Sequence, residues 1–502
     1  MPSHLLSILL AATPVLSLPF QYSITQPAPT PSIQWSDCSA YWYLSQDLQC
    51  GNLSVPIDWS NPTSSHFTLR LVRLPRPSNS TLPRLGSLFI NPGGPGGSAV
   101  SDVSAVARGM IPAVSSDVLN SFDIIGVDPR GVALSVTSLC DASIWDERVS
   151  LFPKTRKDYD RLVDKNKRLG KSCLNITGDV IEHVDTISAA KDHEAVRAAL
   201  GDEMNWLGLS YGSMLGAQYA QLYPEHLRTM VLDGVLQHSL DEMSNIRIET
   251  TAYATALESF FEWAQTNNAS SLQGQDVEKL WYSILESAAK TPTPAPSCSN
   301  NTCTDCPLTC RFDVNEEDIL FNAQGFLLSP STEAKAAFAD ALLGASQGDA
   351  SALTTSLPFQ GNPSLYAGLT IGCQDWTPKN ASFEDFQEKM RKAAEVSPLT
   401  KGASQTWTLQ ASCVGWPAPP QNPPKKLDVK ASETILLVNS LKDPSTGYEW
   451  AIGMQDEIEK NVLLTRKGDG HTSYTLGGAT TEAINRYLLT KELPAPGTVL
   501  DS

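Results

Sequence analysis

The sequence contains no block of basic residues. Its 37 Lys and Arg stand against 54 Asp and Glu, which gives a formal net charge of −17. Binding to a nucleic acid or to an anionic membrane surface requires clustered positive charge. The composition therefore excludes a nucleic acid partner and predicts no stable association with membranes. The negative charge itself is typical of a solvated surface that keeps a folded protein soluble.

Long apolar runs are also scarce. One extends from Leu5 to Leu16 and is followed by small residues near Ser17. It is shorter than the roughly 18 residues that a membrane span needs, and no later run approaches that length. Residues 1–17 therefore have the features of a cleaved signal peptide, and we expect a protein that is secreted or held in another secretory compartment. The Pro- and Ser-rich residues 18–36 predict an extended leader.

The cysteines and the glycosylation sequons support export. Ten cysteines, an even number, fit an oxidising compartment. Pairing by proximity along the chain predicts the bridges Cys38–Cys50, Cys140–Cys173 and Cys373–Cys413. The acceptor sequence Asn-x-Ser/Thr occurs at Asn52, Asn79, Asn175, Asn268, Asn300 and Asn380.

The four remaining cysteines form a cluster that has two interpretations; they are Cys298, Cys303, Cys306 and Cys310. Their first spacings resemble a plant-type iron–sulfur ligand run. However, the sequon at Asn300 lies inside the cluster, and the surroundings are rich in Pro and Thr. We therefore expect a disulfide-stapled loop without a metal, although the sequence does not choose among the three pairings that four cysteines allow.

Short apolar runs alternate with helical patterns between residues 37 and 240. The runs GSLFIN, FDIIGVD, NWLGLS and TMVLDGV are continuous and β-rich, as strands buried on both faces are. Their alternation with helices predicts a doubly wound, mostly parallel sheet of the α/β class. From 241 to 425 the pattern is mainly helical, and from 426 to 502 strands and helices resume. This layout predicts a catalytic core in two parts, interrupted by a large helical lid.

The motif GLSYG at residues 208–212 follows one of these strands and opens a helix. Small residues on both sides let the chain turn sharply and expose the serine hydroxyl, as a nucleophile elbow requires. A second match at residues 344–348, around Ser346, follows a helical stretch and no strand, which predicts a helix end. We therefore assign Ser210 as the nucleophile.

A serine nucleophile needs two preorganised donors for the oxyanion that develops. The backbone N–H of Tyr211, directly after Ser210, is the first. The second is expected from the loop NPGGPGGS, whose glycines let the backbone approach a substrate closely. Gly94 and Gly93 are the candidates. The loop lacks the Gly-Lys-Ser/Thr ending of a phosphate-binding loop.

The general base must come from seven histidines. His471, between the last strand and the last helix, completes the chain order Ser, Asp, His. His238, after a core strand, is the alternative. The orienting acid is expected at the end of the preceding strand, where LLVNSLKDPST places Asp443. Asp469 is closer in sequence, but it shares a loop with His471, and an aspartate in such a loop is typical of a turn.

Six segments together resemble the tripeptidyl-aminopeptidase-like branch of the α/β hydrolases, which is related to the proline iminopeptidases. They are NPGGPGGS, DIIGVDPRGVALS, GLSYG with YPEHLRTMVLDGV, ILLVNSLKDPST and GDGH. The resemblance implies an α/β-hydrolase fold with a lid and a secreted serine exopeptidase that removes short pieces from peptide amino ends. Pro92 stands where proline iminopeptidases have histidine, and Ala133 replaces a common glycine; neither change removes a catalytic group.

These features predict acyl transfer to water by Ser210, His471 and Asp443, without metal or cofactor. The leading substrate is a small peptide with a free amino end. The same machinery hydrolyses esters, so the alternative is an esterase, lactonase or thioesterase that acts on a small metabolite. An inactive binding protein on the same fold is the second alternative. No feature of the sequence indicates an oligomeric state.

An aminopeptidase must also bind a cationic amino end, and this requires a fixed anion near the nucleophile. Asp375 is the first candidate, because a local disulfide at Cys373 and the neighbouring Trp376 would hold it rigidly. Glu242, at the entry to the lid, is the second candidate.

Overall fold

The computed structural model describes residues 32–299, 310–355, 363–376, 378 and 382–501. The predicted signal peptide and the leader up to residue 31 lie outside these residues. The same holds for the sequons at Asn300 and Asn380 and for Cys303 and Cys306.

The strands of the described residues build mainly one large sheet. In chain order they are β1 Gln34–Asp37, β2 Gln49–Pro56, β3 His66–Leu74, β4 Ser87–Asn91, β5 Asp123–Val127, β6 Met204–Leu209, β7 Leu227–Asp233, β8 Thr293–Pro294, β9 Asp313–Val314, β10 Ile435–Lys442, β11 Asn461–Asp469 and β12 Val499–Asp501. Ten of them form a sheet in the order β1-β2-β3-β5-β4-β6-β7-β10-β11-β12. From β5 to β12 all neighbours are parallel, whereas β1, β2 and β3 add an antiparallel edge. This confirms the predicted doubly wound, mostly parallel α/β sheet.

Both faces of the sheet are buried, as the continuous apolar runs predict. Successive residues of a strand point to opposite faces, so Leu88 of β4 packs in the apolar cluster on one side and Phe89 in the cluster on the other. In β6, Leu207 and Trp206 divide in the same way.

Helices cover both faces of the sheet and form the segment between β7 and β10. They are α1 Ala99–Ala107, α2 Ser116–Ser121, α3 Ala142–Trp145, α4 Arg156–Thr177, α5 Thr186–Leu200, α6 Tyr211–Leu222, α7 Glu242–Thr266, α8 Val277–Lys290, α9 Pro296–Ser299, α10 Glu316–Phe326, α11 Thr332–Ser346, α12 Pro363–Asp375, α13 Phe383–Val396, α14 Gln405–Cys413, α15 Tyr448–Gln455 and α16 Gly478–Thr490. Short 3-10 helices occupy Asp179–His183, Pro224–His226, Ser351–Leu353 and Tyr474–Leu476. Among the described helices, none has the length and apolar character needed to cross a bilayer.

We call the segment Glu242–Cys413 the lid. It contains helices α7 to α14 and has an apolar cluster of its own, in which Tyr253, Phe260, Trp281 and Phe338 are buried. The lid therefore folds around its own core and also packs on the sheet domain.

Disulfides occur at the three pairs that chain proximity predicts, Cys38–Cys50, Cys140–Cys173 and Cys373–Cys413. A fourth joins Cys298 to Cys310 and closes the cysteine cluster within the lid. Four disulfides fit a protein of an oxidising compartment. Among the described sequons, Asn79, Asn175 and Asn268 are exposed, whereas Asn52 lies half-buried in β2.

Candidate active site

Ser210 stands between β6 and α6 in a strained backbone conformation. Its φ is 57° and its ψ is −125°, a region that residues other than glycine rarely adopt. The N–H of Ser210 donates to the carbonyl oxygen of Asp233 at 2.8 Å, which ties the turn to the end of β7. This is the sharp strand-to-helix turn of a nucleophile elbow.

The two glycines of the motif are required by the close approach of neighbouring backbone. A Cβ on Gly208 would lie 2.1 Å from the carbonyl oxygen of Gly212, and a Cβ on Gly212 would lie 2.6 Å from that of Asn91. Neither position accepts a side chain without moving the loop after β4 or the start of α6. In contrast, Ser346 ends α11 and is exposed, and its hydroxyl donates to Leu343 in the same helix.

Asp443 follows β10 and is completely buried. Its carboxylate accepts hydrogen bonds from the N–H groups of Ser445 and Thr446, both at 2.8 Å, and from the N–H of Thr472 at 3.2 Å. The Thr446 hydroxyl adds another at 2.8 Å. These donors fix the orientation of the carboxylate and compensate for its burial.

His471 lies beside this carboxylate, with Nδ1 at 2.9 Å from both oxygens of Asp443. Burial would lower the pKa of His471, but the charge and the hydrogen bond of Asp443 raise it above its ordinary value. For Asp443, burial acts to raise the pKa, and the interaction with His471 brings it below its ordinary value. The pair can therefore stabilise an imidazolium ion during a proton transfer.

Ser210 and His471 both lie close to the segment at the end of β7. The N–H of Ser210 donates to Asp233, and a Cβ on the next residue, Gly234, would lie 3.5 Å from Cε1 of His471. The alternative base, His238, is engaged elsewhere, since its Nε2 is 2.9 Å from the carbonyl oxygen of Asp375. Burial lowers the pKa of His238 to about 4.

The loop after β4 lies directly against the elbow. A Cβ on Gly93 would lie 2.9 Å from the backbone nitrogen of Tyr211. However, the N–H of Gly93 donates to Oδ1 of Asn91 at 3.0 Å. The N–H of Gly93 is therefore already engaged, whereas Gly94, the other candidate, lines the cavity with Ser210. Tyr211 is the first residue of α6, where backbone N–H groups have no intrahelical partner.

A cavity of about 470 Å³ contains Ser210 in its wall. This volume is in the range of pockets that hold a small molecule or a short peptide. The apolar and aromatic side chains of its wall are Pro95, Trp145, Leu236, Phe321, Leu365, Leu369, Trp376, Leu409 and Trp450. Most of them belong to the lid, so the lid forms much of the substrate space. Within the described residues, no group of three or more His, Cys, Asp or Glu is arranged to hold a metal ion.

The cavity also contains a carboxylate that the sequence analysis missed. Glu249 of α7 lines the cavity together with Ser210 and is 1% exposed. Its carboxylate accepts hydrogen bonds from Nε2 of Gln324 at 2.8 Å and from the N–H groups of Gln405 at 3.1 Å and Thr406 at 2.6 Å. Burial raises the pKa of Glu249 above its ordinary value, and these donors act in the opposite direction. A sequence signal existed, because Glu249 interrupts the buried stripe of Ile246 and Tyr253 at helical spacing.

The two anions proposed from the sequence have other surroundings. Asp375 is fully buried behind the cavity wall, where it accepts hydrogen bonds from the N–H and hydroxyl of Thr186 and from Asn422. Burial raises its pKa to about 7. Glu242 forms an ion pair with Lys389. Neither residue lines the cavity, whereas Glu249 does.

Comparison with known proteins agrees with this architecture. The family model described as alpha/beta hydrolase fold matches residues 86–297, and the one described as TAP-like protein matches residues 397–500. The chain is 26% identical to a tripeptidyl aminopeptidase of Streptomyces lividans over 484 residues, which cover 91% of this chain and 84% of that protein. It is 26% identical to the serine protease Hip1 of Mycobacterium tuberculosis over 487 residues, covering 93% and 90%.

A further relative has a different name. Carboxylesterase B of Mycobacterium tuberculosis is 24% identical over 490 residues, which cover 93% of this chain and 90% of that protein. The sheet order and both matching family models agree on the fold. The chain is a hydrolase with an α/β-hydrolase fold, and over most of its length it is similar to proteins of the tripeptidyl-aminopeptidase type.

Proposed function

We propose that this protein is a secreted serine exopeptidase that cleaves peptides near a free amino end, with Ser210, His471 and Asp443 as its catalytic triad. The observation that carries the proposal is the buried carboxylate of Glu249 in the wall of the cavity that holds Ser210. The four disulfides and the predicted signal peptide support secretion.

In this mechanism the hydroxyl oxygen of Ser210 attacks the scissile carbonyl carbon while His471 takes its proton. Asp443 keeps the imidazole in the tautomer that carries its proton on Nδ1 and stabilises the charged form. The N–H groups of Tyr211 and Gly94 donate to the oxyanion of the tetrahedral intermediate. His471 then protonates the leaving amine, and a water molecule releases the acyl group from Ser210 by the same steps.

Glu249 favours a peptide amino end, because burying a carboxylate without a cation beside it is unfavourable in free energy. Its three N–H donors hold the carboxylate in place, but no Lys, Arg or His within the described residues forms an ion pair with it. An ammonium group that enters the cavity would supply the missing charge. A carboxylate held in the wall of the same cavity as Ser210 supports cleavage counted from the amino end.

The second candidate is hydrolysis of an ester or thioester of a small metabolite. The apolar majority of the cavity wall and the similarity to carboxylesterase B favour it. An ester without a positive charge would leave Glu249 without an ionic partner, and this is why we rank it second.

The test compares a tripeptidyl arylamide that has a free amine with its N-acetylated copy, on the wild type, Glu249→Gln and Glu317→Gln. Glu317 is a matched control, since it is a half-buried lid carboxylate whose pKa burial also raises, but it does not line the cavity. A charge-assisted hydrogen bond corresponds to roughly a 10- to 100-fold preference for the free amine.

We expect this preference in the wild type and in Glu317→Gln, and its reduction to a few-fold in Glu249→Gln. Equal rates on both peptides in the wild type, together with rapid turnover of aryl esters, would move the assignment to the esterase. Loss of the preference in both variants would remove Glu249 from substrate recognition.

A further inference from the structure

The side chain of Tyr211 belongs to a chain of hydrogen bonds that connects the nucleophile elbow to the lid. Its hydroxyl oxygen lies 2.6 Å from the hydroxyl oxygen of Thr186, the first residue of α5. The hydroxyl of Thr186 in turn donates at 2.7 Å to Oδ2 of Asp375, the last residue of the lid helix α12. Because a hydroxyl has only one proton, Thr186 donates to the carboxylate and accepts from Tyr211.

None of these three side chains lines the cavity. Tyr211 is 2% exposed, and Thr186 and Asp375 are completely buried. The carboxylate of Asp375 is also held by the N–H of Thr186 at 3.1 Å and by Nδ2 of Asn422 at 2.9 Å. An effect of this chain on catalysis therefore has to pass through the position of Tyr211 and not through contact with the substrate.

The helix α12 is linked to both halves of the proposed oxyanion hole. The backbone N–H of Tyr211 lies in the first turn of α6, where no helical hydrogen bond fixes its direction. The other proposed donor, Gly94, belongs to the loop after β4, and α12 packs directly on this loop. A Cβ on Gly96 would lie 2.5 Å from the carbonyl oxygen of Ser364 and 2.9 Å from the backbone nitrogen of Gly368.

We propose that Asp375 and Thr186 are positioning residues for the oxyanion hole, which hold the backbone N–H of Tyr211 in place through its hydroxyl. The lid helix α12 then takes part in stabilising the transition state as well as in enclosing the substrate. An oxyanion donor acts only at about 2.7–3.1 Å from the developing charge, so a small displacement weakens it. The inference rests on the proposed triad with Ser210, and it applies to peptide and ester substrates alike.

The experiment compares Tyr211→Phe with Tyr219→Phe. Tyr219 is a matched control, because it lies in the same helix α6, is also buried, and donates its hydroxyl proton to the carboxylate of Glu194 at 2.6 Å. Each variant keeps the aromatic ring and loses one buried hydrogen bond. Thr186→Val, alone and combined with Tyr211→Phe, breaks the chain at its middle residue.

Three quantities are measured on each variant: kcat and KM, the midpoint of thermal unfolding, and the inhibition constant of phenylboronic acid. The boron atom of this inhibitor bonds to the oxygen of a nucleophilic serine, and the tetrahedral anion that forms resembles the oxyanion intermediate. The substrate is whichever of a free-amine tripeptidyl arylamide and an aryl ester the wild type hydrolyses faster. The result therefore does not depend on the substrate class.

We expect Tyr211→Phe to lower kcat by about 3- to 10-fold, with KM changed less than about twofold, because a displaced donor weakens the transition state more than the bound substrate. The inhibition constant of phenylboronic acid should rise by a similar factor. Thr186→Val should have the same effects, and the double variant should be no worse than either single one, since both break one chain. Tyr219→Phe should lower the midpoint of unfolding as much as Tyr211→Phe and leave kcat and the inhibition constant unchanged.

Equal kcat and equal inhibition constants in Tyr211→Phe and Tyr219→Phe would show that the chain only stabilises the fold, and the inference would be wrong. It would also be wrong if Tyr211→Phe changed KM alone, or if the effects of Tyr211→Phe and Thr186→Val on kcat multiplied in the double variant. Ser210→Ala tests the proposed function separately, because activity retained in that variant would refute the triad whatever the Tyr211 variants do. The two failures are therefore distinguishable in one data set.

Discussion

The loop that carries His471 is held by the lid, and this contact predicts that a lid mutation slows catalysis. The N–H of His471 donates to the carbonyl oxygen of Leu328 at 2.8 Å, in the connection between α10 and α11. Two residues earlier, Asp469 is paired with Lys335 of α11 at 2.6 Å and accepts a hydrogen bond from Ser259 of α7 at 2.7 Å.

We consider Lys335→Met, which removes the ion pair and keeps most of the apolar stem. The side chains of Lys335 and Asp469 are 14% and 22% exposed. An exposed pair is worth up to about 1 kcal/mol, and breaking a buried pair costs about 3–5 kcal/mol. Because Ser259 still binds Asp469, we expect an intermediate loss of about 2 kcal/mol in the free energy of unfolding.

The same variant should lower kcat about 5- to 10-fold with little change in KM. Neither Lys335 nor Asp469 lines the cavity, but a looser loop would hold His471 less often in its productive position. The assays are a denaturant titration and steady-state kinetics on a free-amine arylamide. Lys401→Met is the control, because Lys401 pairs with Glu316 within the lid, away from the histidine loop.

The stability that the Lys335–Asp469 ion pair contributes depends on pH in a defined direction. Burial acts to raise the pKa of Asp469, but Lys335 and Ser259 bring it below its ordinary value. The pair therefore contributes stability above the pKa of the unfolded carboxyl, about 4, and loses it as the pH falls through the lower folded value. The stability difference between the wild type and Lys335→Met should shrink at acidic pH. An equal decrease of kcat in Lys335→Met and Lys401→Met, or an unchanged kcat in Lys335→Met, would refute the coupling.

Three further predictions concern the triad and the disulfides. Ser210→Ala should lower kcat by several orders of magnitude, whereas Ser346→Ala should leave kinetics within a few-fold of the wild type; equal effects in an arylamide assay would contradict the choice of elbow. The raised pKa of His471 predicts that kcat/KM falls as pH drops through a value above 6.5, and Asp443→Asn should move this limb to lower pH and cut kcat by about 10⁴; an unmoved limb would argue against the pair. Non-reducing peptide mapping should find the four described bridges, and a free thiol at Cys298 or Cys310 would contradict the pairing of these two residues.

The sheet and the elbow were predictable because local pattern decides them. Continuous apolar runs need burial on both faces, and GLSYG between a strand and a helix encodes its own turn. The surroundings of the two anion candidates were not predictable from the sequence. A disulfide and an aromatic neighbour indicate that Asp375 is rigid, but they do not indicate that its carboxylate accepts hydrogen bonds from Thr186 and lies outside the cavity wall. In the same way, only the folded loop shows that the N–H of Gly93 donates a hydrogen bond to the side chain of Asn91.

Glu249 is a residue that departs from the apolar pattern of its own helix. A carboxylate in the buried stripe of a helix conflicts with the pattern that forms the helix, and such conflicts are expected at functional sites. The carboxylate of Glu249 belongs to the wall of the cavity that contains Ser210. This coincidence of a buried carboxylate and the proposed nucleophile is the reason why we propose a peptide amino end, rather than an apolar acyl chain, as the ligand.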